Sequence, residues 1–399
     1  MRLRRVEIKL AILAVASSAC FWLLAGPASA ASQAPVCPGP ASPGSARCHA
    51  HVVTNANGTP RAETAPKGYG PAQFRGAYGL PATASTAQTI AIVDAYDDPN
   101  IASDLNVYSS QFGLPQCNSS NPCFQKVNQS GSAAGPFPRA DAGWSLEIAL
   151  DVEVAHAICP NCKILLVEAS SNSLSNLAAA VNTAAKLGAT EISNSYGGSE
   201  FSSEVNAAYS SPYNQPGIAV TVASGDNGYG SFGFPAASPN VITVGGTTLT
   251  VGAGNTYGSE SVWSGAGSGC SLYVKAPAWQ SFLGPCAGKR GTADVAADAN
   301  PNTGAAVYDT VRYQGRSGWF QIGGTSLSSP LVAGIYALAG GLPAGTSAAS
   351  GLYGHLGDST VLHDVTSGSN GTCSTIMCKG AVGYDGPTGV GTPKGVGAF

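Results

Sequence analysis

Between residues 88 and 244, short apolar runs alternate with longer stretches of helical period, and this alternation constrains the fold of the 399-residue chain more than any other feature. Gln88 to Ala95, Lys163 to Glu168, Thr190 to Ser195, Ile218 to Ser224 and Val241 to Val244 read as strands that are apolar almost throughout. Asn100 to Phe112, Gly143 to Ile158, Leu174 to Leu187 and a shorter stretch near Ser203 to Ser210 read as helices. A strand that is apolar on both faces has to be covered on both, and an intervening helix supplies the crossover that parallel pairing needs. The expected fold is therefore α/β, a mostly parallel central sheet with helices on both faces. No linker or internal repeat interrupts residues 71–399, so they are expected to form one domain with long surface loops.

The chain opens on Arg2, Arg4, Arg5 and Lys9, then an apolar stretch from Leu10 to Ala25, then Ala28-Ser29-Ala30, which has the form of a cleavage site. Residues 1–30 are expected to be a signal peptide and the product to be secreted. Residues 31–70 are rich in Pro, Ala, Gly, Ser and Thr and lack apolar periodicity, so they read as a short propeptide or linker tail. Without the leader, 15 Lys and Arg face 21 Asp and Glu, and nothing basic remains to attract nucleic acid. No later apolar run reaches membrane-spanning length unbroken, so no membrane partner is expected after leader removal, and the product is read as a monomer. Of 11 cysteines, all but Cys20 fall in close neighbours beyond the leader. Export and an even count favour the disulfides 37–48, 117–123, 159–162, 270–286 and 373–378.

Chemistry enters at Gly324-Thr325-Ser326-Leu327-Ser328-Ser329-Pro330, followed by the apolar run Leu331 to Ala339. The peptide puts a serine where a Gly-rich turn enters a buried helix, and there free N–H groups and the helix dipole favour a developing anion. It also fits an ordinary N-cap with proline in the first turn. A serine nucleophile needs a base. The histidines at 49, 51, 156, 355 and 363 offer no setting typical of one, and His49 and His51 fall in the tail. Glu147 and Asp151 lie four residues apart on a helix, about 40° apart around its axis, so both rise from one face. Either they share a proton in a buried site or they are two acids on a solvated face. Asp226 follows the apolar strand Ile218 to Val222 and so stands at the carboxyl end of a parallel strand, where such sheets carry their sites; a turn aspartate there is also common.

Glu147-x-x-x-Asp151, Ser224-Gly225-Asp226-x-Gly228 and Gly324-Thr325-Ser326-x-x-x-Pro330, in this order, resemble the sedolisin (serine-carboxyl) peptidases, a family with a subtilisin-like fold. The stretches Tyr69 to Tyr78, Ile90 to Tyr96, Phe112 to Pro115, Asp364 to Thr366 and Gly383 to Asp385 agree, and the resemblance covers residues 69–399. It implies an endopeptidase acting on polypeptides through an acyl-enzyme on Ser326, with Glu147 as base, Asp151 orienting Glu147, and Asp226 with the Ser326 N–H as oxyanion donors. Asp226 must then hold a proton while Glu147 has lost its own, so the environment must push Asp226 up and keep Glu147 lower. That implies an acidic working range, on the order of pH 3–5. The resemblance also implies one structural Ca²⁺ held by the carboxylates of Asp364 and Asp385 and the carbonyls of Val365, Ala381 and Gly383. The large folded prosegment usual in the family has no counterpart in residues 31–70, which leaves neutral pH or a separate inhibitor to restrain activity. Two rival readings are a subtilisin-type triad using Asp94 and a non-catalytic exported binding protein on a peptidase scaffold.

Overall fold

A computed structural model describes residues 32–343, 346 and 349–399. The expected signal peptide lies outside the described residues. The central sheet runs, edge to edge, through Tyr257–Val262, Ile242–Val251, Ala219–Ala223, Glu191–Asn194, Thr89–Ala95, Lys163–Ala169 and Phe124–Asn128, with Val295–Asp298 also paired to Ile242–Val251. Every pairing is parallel except that of the Tyr257–Val262 edge. The α/β expectation thus describes the molecule, and the five strands read from sequence are all in this sheet.

Helices cover the sheet because each hides an apolar surface that water would otherwise meet. Leu174–Lys186 packs on Lys163–Ala169 and Thr89–Ala95, and Ser173 caps it by accepting from the Asn176 N–H at 3.3 Å. Ala142–Ile158 starts at Asp141, whose carboxylate accepts from the N–H groups of Gly143 and Trp144. From Trp144 to Ile158 every residue of this helix is buried, because it packs between the helix Thr325–Ala339 and the strand Ala305–Tyr313. Polar side chains on it are therefore buried whichever way they point.

Of the stretch 31–70, read from sequence as an irregular tail, residues 32–70 are largely built into the fold. Gln33–Pro35, His51–Val53 and Ala62–Glu63 join the long hairpin Ala305–Tyr313 and Arg316–Gly323 in an antiparallel sheet. Val36, Ala46, Val52 and Val53 of this stretch are buried. The reason is topological: most of its partners lie more than 100 positions away, and those in the hairpin more than 250, so local periodicity carries no trace of the pairing. All five expected disulfides are present. Among the described residues no helix is long and apolar enough to cross a membrane.

Candidate active site

Glu147 and Asp151 are both 0 % exposed, which settles the choice between a solvated face and a buried pair. Burial pushes the Glu147 carboxyl well above the usual carboxylate range, and the neighbouring Asp151 and Asp94 push it further; the Ser326 hydroxyl opposes them. Asp151 is raised by burial, with the Ser195 hydroxyl pulling the other way. Asp94, at the carboxyl end of its strand, is raised by burial and by Asp151 and Glu168. No oxygen of Glu147, Asp151 or Asp94 has a well-formed hydrogen bond. Three unpaired carboxyl groups packed this closely cannot all ionise, so they titrate as one group sharing protons. Asp94 was singled out in the sequence as the acid of a subtilisin-type triad; here the group that interacts with both it and Ser326 is a carboxyl, Glu147.

Asp226 follows the strand Ala219–Ala223 and is fixed through one oxygen. Its Oδ1 accepts from the Thr325 N–H at 2.8 Å and the Thr325 hydroxyl at 2.7 Å. Oδ2 has no hydrogen-bond partner. Burial raises this carboxyl to about 7, with the Thr325 hydrogen bonds opposing the shift. It therefore holds a proton through the acidic range and can donate from Oδ2. The expected upward push on Asp226 is met, and Glu147 is pushed up as well, by burial and then by the acids around it.

Ser326 stands in the first turn of Thr325–Ala339, entered through Gly324 at φ 99°. A side chain at Gly324 would place its Cβ 2.0 Å from the His49 carbonyl oxygen and 2.5 Å from Asp226 Oδ2, so only glycine fits the turn that opens this helix. The Ser326 hydroxyl donates to the Ser195 carbonyl at 3.2 Å and accepts from the His49 N–H at 3.1 Å. Its backbone N–H is directed at the His49 carbonyl, 3.4 Å away. Thus Glu147, Asp151, Asp226 and Ser326, from three separate segments, meet at the carboxyl edge of the central sheet.

His49 and His51, set aside in the sequence because of their place in the tail, lie in this same site. His51 Nε2 is 3.7 Å from Asp226 Oδ2. Burial lowers His51 to about 4 and His49 to about 3, so both rings are neutral over most of the acidic range. A cavity of about 530 Å³ flanks the His49 ring, walled by Gly197, Glu200, Ser224, Gly225, Gly269 and Leu272 among others. No signal in the sequence pointed to His49, because its neighbours here are 146 to 277 positions away along the chain.

The expected cation loop is formed in part. Asp364 Oδ2 accepts from the Gly383 N–H and Asp385 Oδ2 from the Ala381 N–H, each at 3.0 Å. Burial pushes the Asp385 carboxyl up to about 7, against the hydrogen bonds from Ala381 and Thr388, and the nearby Asp364 carboxylate adds to the shift. Val365 is buried beside them, with its carbonyl against Gly380. The donors are two carboxylates and backbone carbonyls, all hard oxygens, which suit Ca²⁺ in kind. Among the described residues no group of three or more His, Cys, Asp and Glu is placed to hold a metal, so such an ion would depend on carbonyls and water for most of its shell.

A family model for the subtilase family matches residues 128–350. Kumamolisin from Bacillus sp. (strain MN-32) is 31% identical over 394 residues, spanning 88% of this chain and 67% of the relative. The chain belongs to the sedolisin family of subtilisin-like peptidases. Sedolisin from Pseudomonas sp. (strain 101) is 29% identical over 370 residues, covering 84% of this chain; the chain thus spans only 60% of that relative's length. The solved structure of Pseudomonas sedolisin (serine-carboxyl proteinase) complexed with two molecules of pseudo-iodotyrostatin aligns with a TM-score of 0.68 at 29% identity, covering 82% of this chain and 96% of that one. Sphericase, 19% identical with a TM-score of 0.52, shares the fold.

Proposed function

We propose that this chain is a secreted serine-carboxyl endopeptidase that cleaves polypeptides below neutral pH and works as a monomer. The observation that carries this reading is the meeting of Ser326, Glu147 and Asp226 in one buried site, each brought there by a different part of the chain. Ser326 attacks the substrate carbonyl while the Glu147–Asp151 pair takes its proton. Asp151 keeps Glu147 in place and spreads the proton over the pair, and Asp94 is a further member of that group. The oxyanion is met by the Ser326 N–H and by the proton on Asp226 Oδ2, a donor that exists only while the carboxyl is neutral. Glu147 then returns the proton to the leaving amine, and water releases the acyl group from Ser326.

We further propose one structural Ca²⁺ at Asp364 and Asp385, with the carbonyls of Val365, Ala381 and Gly383. Its chemistry would be that of a hard cation pinning the C-terminal loop, and no catalytic step passes through it.

Digestion of a peptide library across acid and neutral pH by wild type, Ser326→Ala and Glu147→Gln tests the peptidase reading. Wild type is expected to cleave in acid. Each variant should lose about 10⁴-fold or more in turnover, the scale seen when a nucleophile or its base is removed. Equal turnover by wild type and Ser326→Ala would instead leave a binding protein on a peptidase scaffold.

A further inference from the structure

Ser326, Glu147 and Asp151 are all 0 % exposed, so a proton that Glu147 gains or loses has no direct access to solvent. A row of acids leads away from them. Asp94 is near enough to Glu147 and Asp151 to act on the ionisation of the group they form. The strand Thr89–Ala95 sets Asp94 opposite Glu168 of Lys163–Ala169 in parallel register. Paired positions on neighbouring strands lie about 4.8 Å apart and face the same side of the sheet, which makes these two carboxyls neighbours. Beyond Glu168 stands Lys126 of the edge strand Phe124–Asn128, its Nζ 3.5 Å from Glu168 Oε1 and 2.5 Å from Asp97 Oδ1. There the row meets water: the side chains of Lys126 and Asp97 are 17 % and 14 % exposed, that of Glu168 0 %.

Packing alone does not ask for such a row. Both oxygens of Asp94 and Oε2 of Glu168 are buried without a hydrogen-bond partner, an arrangement that costs stability. Glu168 Oε1, by contrast, is fixed by the Asp98 N–H at 3.0 Å. The groups facing Glu168 are Asp94 on one neighbouring strand, Lys126 on the other, and Asp97 and Asp98 in the turn that follows Asp94. Burial pushes Glu168 up to about 9, against Lys126 and with Asp97 adding to the shift. Asp94 is raised by burial, then by Asp151 and Glu168. In acid each of the two therefore carries a proton to hand on as it takes up another.

We propose that Asp94, Glu168 and Asp97 pass protons between the Glu147–Asp151 pair and solvent at the Phe124–Asn128 edge, so that the base is set while a bound peptide covers Ser326. The proposal rests on the peptidase reading above. To ionise Glu147, its proton moves to Asp94 as the Asp94 proton moves to Glu168 and the Glu168 proton to Asp97, which gives it up to water. Glu147 ends ionised, Asp94 and Glu168 end protonated as they began, and only O–H bonds break and form. The reverse order returns the proton. Lys126, paired with Asp97 and donating to the Asp98 carbonyl at 2.9 Å, holds the accepting end in place. Glu168 touches neither substrate nor Ser326 and acts only through Asp94.

The test compares wild type, Glu168→Gln and Glu168→Asp as full chains, measuring Tm and the kcat and KM of peptide cleavage in acid, in water and in mixtures with D2O. Gln keeps the length of Glu168 and an acceptor for the Asp98 N–H but has no acid proton to pass; Asp is one methylene shorter and keeps that proton. A relay ranks kcat as wild type, then Asp, then Gln, whereas a part played only in holding the turn at Asp98 ranks Gln above Asp. Glu168→Gln is expected to lose about 10-fold in kcat with KM unchanged, a smaller loss than removal of the base itself. Its kcat should fall linearly with D2O fraction where that of wild type bends, because several protons move together only in wild type. Asp97→Asn, at the partly exposed end, should show the same loss and the same straight line, and it keeps the test open should substitution of the buried Glu168 prevent folding. Wild-type kcat and D2O dependence in Glu168→Gln or in Asp97→Asn, or Gln above Asp, would overturn the relay and leave the peptidase reading standing. Absence of turnover by wild type at any pH would remove both.

Discussion

The backbone N–H of Ser326 points at the carbonyl oxygen of His49 across 3.4 Å, although 277 positions separate the two residues. The contact puts a peptide carbonyl where a tetrahedral oxyanion would form, between a fixed N–H and the unpaired oxygen of Asp226. The same backbone lies against the Ser326 side chain, whose hydroxyl accepts from the His49 N–H at 3.1 Å.

Asp226 should set the alkaline limit of activity. Its carboxyl, raised to about 7, donates while protonated and stops donating as pH climbs through that value. Asp226→Asn keeps a carbonyl oxygen for the Thr325 contacts and offers an N–H at the Oδ2 position at every pH. The pH–rate profile of the Asn variant is expected to lose its fall near pH 7, at some cost in peak rate, while Asp226→Ala should lose about 10²- to 10³-fold throughout. An unchanged alkaline limb in the Asn variant would assign the limit to another group.

Stability should be greatest in acid. Burial raises Asp98 and Asp226 to about 7 and Asp309 and Glu191 to about 8, with Asp104 adding to the shifts of Asp98 and Asp309. A carboxyl whose folded-state pKa lies above its unfolded value contributes stability that is complete below about pH 4. That contribution is lost as pH rises through the folded value. Thermal unfolding of Ser326→Ala, which lacks the proposed nucleophile and so cannot digest other copies during the measurement, should therefore give a lower Tm at pH 8 than at pH 4. Asp309→Asn in that background should recover part of the difference, on the order of 2–5 kcal/mol at most. A Tm higher at pH 8 would refute the assignment.

The sequence made the sheet, its crossover helices, the disulfides and the four residues meeting at the cleft legible, because each leaves a local mark. Near-continuous apolar runs betray buried parallel strands, and the Glu147–Asp151 spacing fixes a shared helix face whatever surrounds it. Residues 31–70 left no such mark. Their strands are two or three residues long, and they are ordered by partners such as Ile322, Gly323, Tyr196 and Asn172. For the same reason His49 looked like a tail residue. The upward shift of Glu147 was hidden too, since it comes first from burial, then from Asp151, and then from Asp94 on the strand Thr89–Ala95, which sequence alone does not place beside it.

Calcium should stabilise the C-terminal loop if Asp364 and Asp385 hold it. A ligand that binds only the folded chain raises stability by about 2.7 kcal/mol at a hundred times its Kd. The Tm of Ser326→Ala is expected to rise with added Ca²⁺, to fall on chelation, and to lose this response in an Asp385→Ala, Ser326→Ala double variant. A Tm indifferent to Ca²⁺ and to chelator would leave the loop held by its own hydrogen bonds, such as Asp385 Oδ1 accepting from the Thr388 N–H at 2.9 Å.

Gly324→Ala separates backbone strain from the demands of the cleft. At φ 99° any side chain is strained, at a cost of about 1–3 kcal/mol. Gly188, at φ 87° with open space around its Cβ position, should carry the strain alone. At Gly324 the added methyl would also strike the carbonyl oxygen of His49 at 2.0 Å and Asp226 Oδ2 at 2.5 Å, displacing one or both. Gly188→Ala is therefore expected to lower Tm and leave peptide turnover intact. Gly324→Ala should lower Tm further and reduce turnover by about 10²-fold or more, the scale of a lost oxyanion donor. If both variants kept full turnover, the carbonyl position between Ser326 and Asp226 would have no part in the reaction.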